Sequence, residues 1–285
     1  MDCDIRYQAR IEAFDYSDDI RALSGIDLTI RRGEWAAILG SNGSGKTTLL
    51  RILDGLLKNY AGSVLLDNAD VRKLSPKEIY SKVGLVFQNP DDQLFAPTVF
   101  EDVAFGPRNM GVSKEETARR VTVALEQVDM AAAAGRAIGA LSFGQKKRVC
   151  IAGLLAMGHE ILLLDEPTVG LDPMGEYRMM KLLQRLNKEG RVTICMATHS
   201  VDLVPIFIDS LHILSRGCII RQGAPENVFT APEEMEAVKL RLPYIAELIH
   251  RLKHEDQVNF GKLPLTVGEA RRDILNAMAM FKSGA

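Results

Sequence analysis

An α/β fold built on a doubly wound core is predicted for this 285-residue chain by three features of its sequence. Beside the compact apolar run Trp35 to Leu39 and a strand at Val83 to Phe87, Ile161 to Leu164 and Val192 to Ala197, short apolar runs bounded by polar residues, read as parallel strands covered on both faces. Segments with helical periodicity alternate with them. A glycine-rich turn joins the first of these strands to the first helix.

Taken in order, residues 4 to 31 read as short strands of alternating character, with Ile26, Leu28 and Ile30 on one face and Asp27 and Thr29 on the other. That pattern predicts an antiparallel, half-exposed sheet. After Trp35 to Leu39 and Gly40 comes a helical pattern carried by Leu49, Leu50, Leu53, Leu56 and Leu57. Ser75, Pro76 and Glu78 supply an N-cap, a first-turn proline and a capping-box acid for a second helix. Ala118 to Val128 is the clearest part of a later helix-rich stretch. From about residue 230 the pattern is helical only. Pro243 opens a helix with Ile245, Leu248, Ile249 and Leu252 on one face, and Thr266 with Glu269 caps a last helix carrying Ala270, Ile274, Met278 and Phe281.

Composition excludes several functions. The 35 Lys and Arg against 37 Asp and Glu give no global positive field to hold a nucleic-acid backbone, so no nucleic-acid partner is expected. Cys3, Cys150, Cys195 and Cys218 show no C-x-x-C spacing and read as reduced thiols of a cytoplasmic protein. The start MDCDIRYQAR lacks the basic and apolar regions of a signal peptide. Val149 to Leu164, the most apolar region, is interrupted by His159 and Glu160 and falls short of the roughly 20 apolar residues of a spanning helix. If the protein serves a membrane, another chain crosses it.

Gly40-Ser41-Asn42-Gly43-Ser44-Gly45-Lys46-Thr47 fits G-x-x-x-x-G-K-[ST] between a buried strand and a helix. Glycines let successive backbone amides converge on phosphate oxygens, and the helix adds its positive end. Lys46 is expected to reach the β- and γ-phosphates of a nucleotide, Thr47 to offer its hydroxyl to Mg²⁺, and Thr48 to complete the nucleotide contacts; the loop alone leaves kinase, GTPase, motor, helicase and transporter ATPase open. Downstream, Asp165 and Glu166 end an apolar strand, a costly place for charge unless a cation is present. Asp165 is expected to hold Mg²⁺ and Glu166, facing the other way, to activate the attacking water.

Leu141-Ser142-Phe143-Gly144-Gln145, shortly before that strand, resembles the signature motif of the ATP-binding-cassette ATPases. The resemblance covers about residues 4 to 230. It implies a P-loop NTPase with a RecA-like core, an antiparallel β subdomain and an α-helical signature subdomain at about 90–155, with a small C-terminal helical extension over 231–285. It further implies a Q-loop at Gln88 touching Mg²⁺ or the attacking water, a D-loop at Leu171-Asp172, a switch histidine at His199 and an adenine-stacking aromatic at Tyr16. Ser142, Gly144 and Gln145 would meet the ATP of a second subunit, so a homodimer enclosing two ATP is implied. Phe143 departs from the family, which usually has glycine there; the direction of its side chain decides whether the composite site is impaired.

The run Val86-Phe87-Gln88-Asn89-Pro90-Asp91-Asp92-Gln93-Leu94-Phe95, with Thr98 and Glu101-Asp102-Val103-Ala104-Phe105-Gly106, is similar to the ATPases of energy-coupling-factor importers, the cobalt and nickel group in particular. The resemblance implies a transmembrane coupling subunit, a membrane substrate-binding subunit and a peripheral place on the cytoplasmic face of the inner membrane. Three other readings stay open: another micronutrient such as a vitamin as cargo, a cassette ATPase acting on nucleic acid, and a regulatory ATP-binding module of little turnover. His250 and His254, four apart on a helix, are read as a solvated face, and Asn187-Lys188-Glu189 lacks the aspartate of a guanine-reading motif.

Overall fold

Alternating burial shapes the first elements of the computed structural model, which describes residues 4–17, 20–230, 232–258 and 260–283. In β1 (Ile5–Ser17) and β2 (Ile20–Arg31), Ile26, Leu28 and Ile30 are buried while Asp27 is exposed and Thr29 half-buried. The two are long strands where several short ones were expected, because β1 lies inside its sheet and pairs on both edges. Next follow β3 (Trp35–Leu39), buried throughout, and α1 (Lys46–Leu53). This helix stops short of the predicted Leu56 and Leu57. Gly55 takes a left-handed φ of 75° and lies so close to Ile79 that a Cβ would fall 2.7 Å from its Cδ1, and Leu56 beyond it is exposed.

β4 (Ala61–Leu66) and β5 (Ala69–Asp70) complete a four-stranded sheet of order β2-β1-β4-β5. In α2 (Pro76–Tyr80) the predicted capping box is present: the Glu78 amide donates to Ser75 Oγ at 3.3 Å and the Ser75 amide to Glu78 Oε2 at 2.8 Å. β6 (Val83–Val86) ends one residue early because the Phe87 amide donates to Gln93 Oε1 at 3.1 Å. α3 (Val99–Asn109), α4 (Lys114–Gln127) and α5 (Phe143–Met157) then pack on one another. β7 (Ile161–Asp165), α6 (Pro173–Gly190), β8 (Thr193–Thr198), α7 (Val204–Phe207), β9 (Ser210–Ser215) and β10 (Cys218–Gly223) return the chain to a six-stranded sheet of order β10-β9-β3-β8-β7-β6. All its pairs are parallel except β9 with β10.

Period-two geometry splits the six-stranded sheet between two cores. Trp35, Ala37, Leu39, Leu162, Leu164, Ile194 and Met196 face α3 to α6. Ala36, Ile38, Ile161, Leu163, Cys195 and Ala197 face α1 and the antiparallel sheet. The register pairs Leu39 with Thr198 and Asp165 with Ala197, so β3, β8 and β7 end together at one edge. Loops leaving the carboxyl ends of such strands are where α/β sheets bind ligands. Asp67 ties the two sheets: it accepts from Arg6 at 3.1 Å and from Lys82 at 2.8 Å.

Four helices follow: α8 (Pro225–Val228), α9 (Pro232–Ala237), α10 (Tyr244–His254) and α11 (Val267–Ser283). The Thr266–Glu269 capping box forms as predicted, with bonds of 3.3 and 3.1 Å. Ile245, Ile249, Leu252, Ala270 and Ile274 share a small core, but Leu248 and Met278 point to solvent, and the Phe281 side chain is outside the described residues. Leu240, Leu242, Ala246 and Leu265 instead join the main core. Cys150 and Cys195 are buried free thiols, and burial pushes the Cys150 thiol up to about 12; Cys218 is half-buried, and Cys3 is outside the described residues. No described helix is long and apolar enough to cross a membrane.

Asp54, just past α1, is 5% exposed, and burial raises its carboxyl to about 7. The folded chain therefore keeps a proton that an unfolded carboxyl releases near pH 4, about its ordinary value. The resulting stability is fully present below about pH 4 and is lost as pH rises through about 7. Asp54→Asn should remove this slope and raise Tm at pH 8, by roughly 2–4 °C for each kcal/mol recovered in a chain of this size, with little change at pH 4, in thermal melts at both values.

Candidate functional site

Between β3 and α1 the chain turns through two left-handed glycines, Gly43 at φ 78° and Gly45 at φ 108°. Gly40 is constrained by space: a Cβ there would lie 2.4 Å from the Leu214 carbonyl oxygen and 2.5 Å from Ser44 Oγ. The loop is closed by the Ser44 amide donating to Ser41 O at 3.2 Å and the Gly217 amide to Ser44 O at 2.9 Å. α1 begins without a side-chain cap and without an acidic residue in its first turn, which leaves its positive end uncompensated. Lys46 bends back over the loop, donating to Gly40 O at 2.8 Å and Ser41 O at 3.2 Å, and pairs with Glu166 Oε1 at 3.3 Å.

The shared edge of β3, β8 and β7 brings the two strand-end acids against this loop. Asp165 Oδ2 accepts from the Thr47 hydroxyl at 2.7 Å. Glu166 turns elsewhere: its Oε1 is 3.0 Å from His199 Nδ1. Lys46, Asp165 and Glu166 are all buried, and Asp165 Oδ1, Glu166 Oε2 and Ser44 Oγ have no hydrogen-bond partner among the described residues. Burial, then the neighbouring Glu166 charge, raises the Asp165 carboxyl above its ordinary value, while the Thr47 hydrogen bond and Lys46 oppose the rise. The Thr47 hydroxyl beside a buried carboxylate whose Oδ1 is unpaired among the described residues fits a hard divalent cation such as Mg²⁺. The open amides of the loop fit phosphate.

Lys46, Thr47, Thr48, Asn42, Gln88, Asp165 and Glu166 line one open groove of about 590 Å³ with Tyr16 at its rim. Tyr16 is 52% exposed, with its ring edge-on to Phe14 and its hydroxyl 3.1 Å from Thr48 Oγ1. Gln88 is exposed on the loop after β6. Ser41, Asn42 and His199 border a neighbouring hollow with Glu176 and Asp202; burial raises the Glu176 carboxyl, and the nearby His199 opposes this.

Ser142, Gly144, Gln145 and Asp172 are not brought to the phosphate loop. They line a separate groove of about 410 Å³. Ser142 caps α5, taking the Gln145 amide at 3.3 Å, while Gln145 Oε1 accepts from the Ser142 amide at 3.0 Å. Asp172 caps α6, accepting from the Gly175 amide at 2.6 Å. The Phe143 ring turns toward its own chain: it lies over Gly170, where a Cβ would come within 2.9 Å of it, and 5.1 Å from Lys147 Nζ.

Three contributions to the site were not expected from sequence. Gln93 braces the Gln88 loop through Phe87 and Leu85. Lys147, between Lys146 and Arg148 on α5, is 1% exposed, and burial lowers its ammonium to about 8. Arg241 pairs with Asp202, three residues after His199, and lies 3.7 Å from the centre of the Tyr244 ring. The two imidazoles of His250 and His254 sit 4.3 Å apart on α10. Asn187 is a structural tie, donating to Gly33 O at 2.8 Å and Val192 O at 2.9 Å.

The sequence profile of the ABC transporter family matches residues 23–169. A Geobacter sulfurreducens protein named as an ABC transporter ATP-binding protein is 67% identical over 279 residues, 98% of this chain and 100% of that one. The energy-coupling factor transporter ATP-binding protein EcfA of Methanocaldococcus jannaschii is 47% identical over 265 residues, covering 92% of this chain and 94% of its own length. Among solved structures, cbiO1 of Clostridium perfringens, part of the ABC transporter complex cbiONQ, superposes with a TM-score of 0.76 at 42% identity, over 87% of this chain and 99% of that one.

Gly40→Ala places a methyl against a backbone carbonyl that cannot yield. It should lower stability by about 1–3 kcal/mol and weaken ATP binding at least tenfold, measured by thermal melts and by titration with a fluorescent nucleotide.

Proposed function

The chain belongs to the ABC transporter family as an ATP-hydrolysing subunit of the energy-coupling-factor type, and we propose that two copies of it energise cobalt or nickel uptake through separate membrane proteins. The observation that carries this reading is the division of the site. Lys46, Thr47, Asp165, Glu166 and His199 share one edge of the sheet, whereas Ser142 and Gly144 lie on another groove of the same chain. A second copy is the natural source of the missing groove.

The chain uses ATP with Mg²⁺. In the proposed mechanism the loop amides and Lys46 hold the phosphates, and Thr47 with Asp165 would hold the metal, which when bound offsets phosphate charge. Glu166 accepts a proton from the attacking water, a role typically worth about 10²–10⁴ in rate. His199 fixes the Glu166 carboxylate through the 3.0 Å contact of Nδ1 with Oε1. Gln88 touches the metal or the water, Tyr16 stacks on adenine, and Ser41 to Ser44 with Thr48 complete the pocket. The partner copy's signature helix supplies Ser142, Gly144 and Gln145, and its Asp172 lies on the loop beside them.

Cobalt or nickel as cargo is supported by the resemblance of Val86 to Gly106 to that group, and the likeness to cbiO1 agrees with it. The absence of any spanning helix among the described residues fits a peripheral place on the cytoplasmic face of the inner membrane. Phe95 and Phe105, 65% and 46% exposed and stacked edge-on at 4.6 Å, follow the Gln88 loop and suit an apolar segment of the coupling subunit.

Glu166→Gln should bind ATP but accumulate a long-lived ATP-bound dimer, with hydrolysis reduced at least 10²-fold; undiminished phosphate release excludes Glu166 as the base. Mixing subunits carrying Lys46→Ala with subunits carrying Ser142→Ala should restore one working pocket per pair, and failure to restore any activity sinks the paired arrangement. Phe95→Ala with Phe105→Ala should abolish co-purification with membrane subunits from detergent extract while the free chain keeps its ATPase rate. Uptake assays on the complex with labelled Co²⁺, Ni²⁺ and vitamins decide the cargo.

A further inference from the structure

The residue after Asp165 has an unusual backbone. Glu166 takes φ 49°, in the left-handed region, which a non-glycine residue keeps only when its surroundings hold it there. Its amide is held by β8, donating to Ala197 O at 3.0 Å. Its carbonyl is held from the opposite direction by Lys147 Nζ at 2.7 Å, and the same ammonium donates to Val169 O at 2.9 Å. The Val169 amide also donates to Glu166 O at 3.3 Å, so a backbone bond and one cation together close the turn from Glu166 to Val169.

Burying an ammonium is expensive, and surface lysines on a helix normally reach for water. Lys147 does the reverse. It is 1% exposed, directed inward from α5, and its partners are two carbonyl oxygens and the face of Phe143 at 5.1 Å. The Phe143 ring also covers Gly170, which has φ 81°. Phe143 and Lys147 lie one helical turn apart, on the same side of α5, and clasp the loop that carries Glu166 and leads to Asp172.

We propose that Lys147 is a positioning residue for Glu166: its ammonium holds the left-handed turn that aims the carboxylate at Lys46 and His199, and so couples Glu166 to the helix that begins at Ser142. The inference rests on the reading of Glu166 as base. It adds a link between two grooves of one chain. α5 starts at Ser142, where the partner copy's nucleotide is proposed to lie, and within two turns it reaches the backbone of the chain's own Glu166. A shift of α5 is then felt at Glu166 without any contact between the two nucleotides.

Lys147→Met keeps length and bulk but donates no hydrogen bond. In the full chain it should reduce kcat for ATP hydrolysis at least tenfold while KM for ATP stays within twofold and Tm within a few degrees. Lys147→Gln, with an amide that reaches one of the two carbonyls, should fall between the two in kcat. A Lys147→Met kcat within twofold of the unmodified chain overturns the proposal, as does a loss of rate matched by an equal loss of nucleotide affinity. Should the methionine variant not fold, Lys147→Gln decides: lowered kcat at unchanged KM supports positioning, and unchanged kcat with lowered Tm overturns it. Glu166→Gln separates this test from the reading beneath it. If Glu166→Gln hydrolyses normally, the base is misassigned; if it is inactive and Lys147→Met is normal, only the coupling fails. In the Glu166→Gln background Lys147→Met should lower the rate no further, and additive losses count against the proposal.

Discussion

Three buried charges, Lys46, Asp165 and Glu166, occupy one edge of the parallel sheet, and their mutual compensation is the constraint on which the site depends. Alone, each would be a buried charge without a partner, which is costly. Together they are held by the 3.3 Å contact of Lys46 with Glu166 and the 2.7 Å bond from Thr47 to Asp165. Those contacts exist because β3 and β7 flank β8 in a register that ends all three strands at the same level. A slip in either pairing would separate the ammonium from the carboxylates and leave them unpaired in the interior.

The same sheet explains how a strained loop is tolerated beside a tight one. Its two faces are filled by separate cores, so β3, β7 and β8 are fixed from both sides. The loops at their ends inherit that rigidity. Gly40 is wedged between Leu214 and Ser44, and Glu166 is held in a left-handed turn by β8 and α5. Geometry of this kind is costly to deform, which suits groups that must keep their spacing while charge develops near them.

Much of this was legible in the sequence wherever one local rule decides the outcome. The strands at Ile161 and Thr193 announce themselves as apolar runs, the Ser75 and Thr266 caps as four-residue patterns, and the phosphate loop as a motif between a strand and a helix. What escaped needed a tertiary neighbour. Leu56 follows the helical period, yet the close approach of Gly55 to Ile79 ends the helix before it. Leu248 follows it too and still faces solvent, because α10 turns Ala246 and Ile249 to its two cores. Nothing local marks Lys147 off from Lys146 and Arg148 beside it; the loop packed on α5 turns it inward. Phe143 looked like a defect in the signature motif; in the fold it is a lid over Gly170.

Composition changes near residue 230, whereas burial continues across it. Leu240, Leu242, Ala246 and Leu265 belong to the same apolar interior as the sheet, and Arg241 grips Asp202 on the loop after His199. Where the C-terminal helices meet the nucleotide-handling core there is thus buried apolar surface rather than an exposed linker, and parting the two would bring interior of both into water.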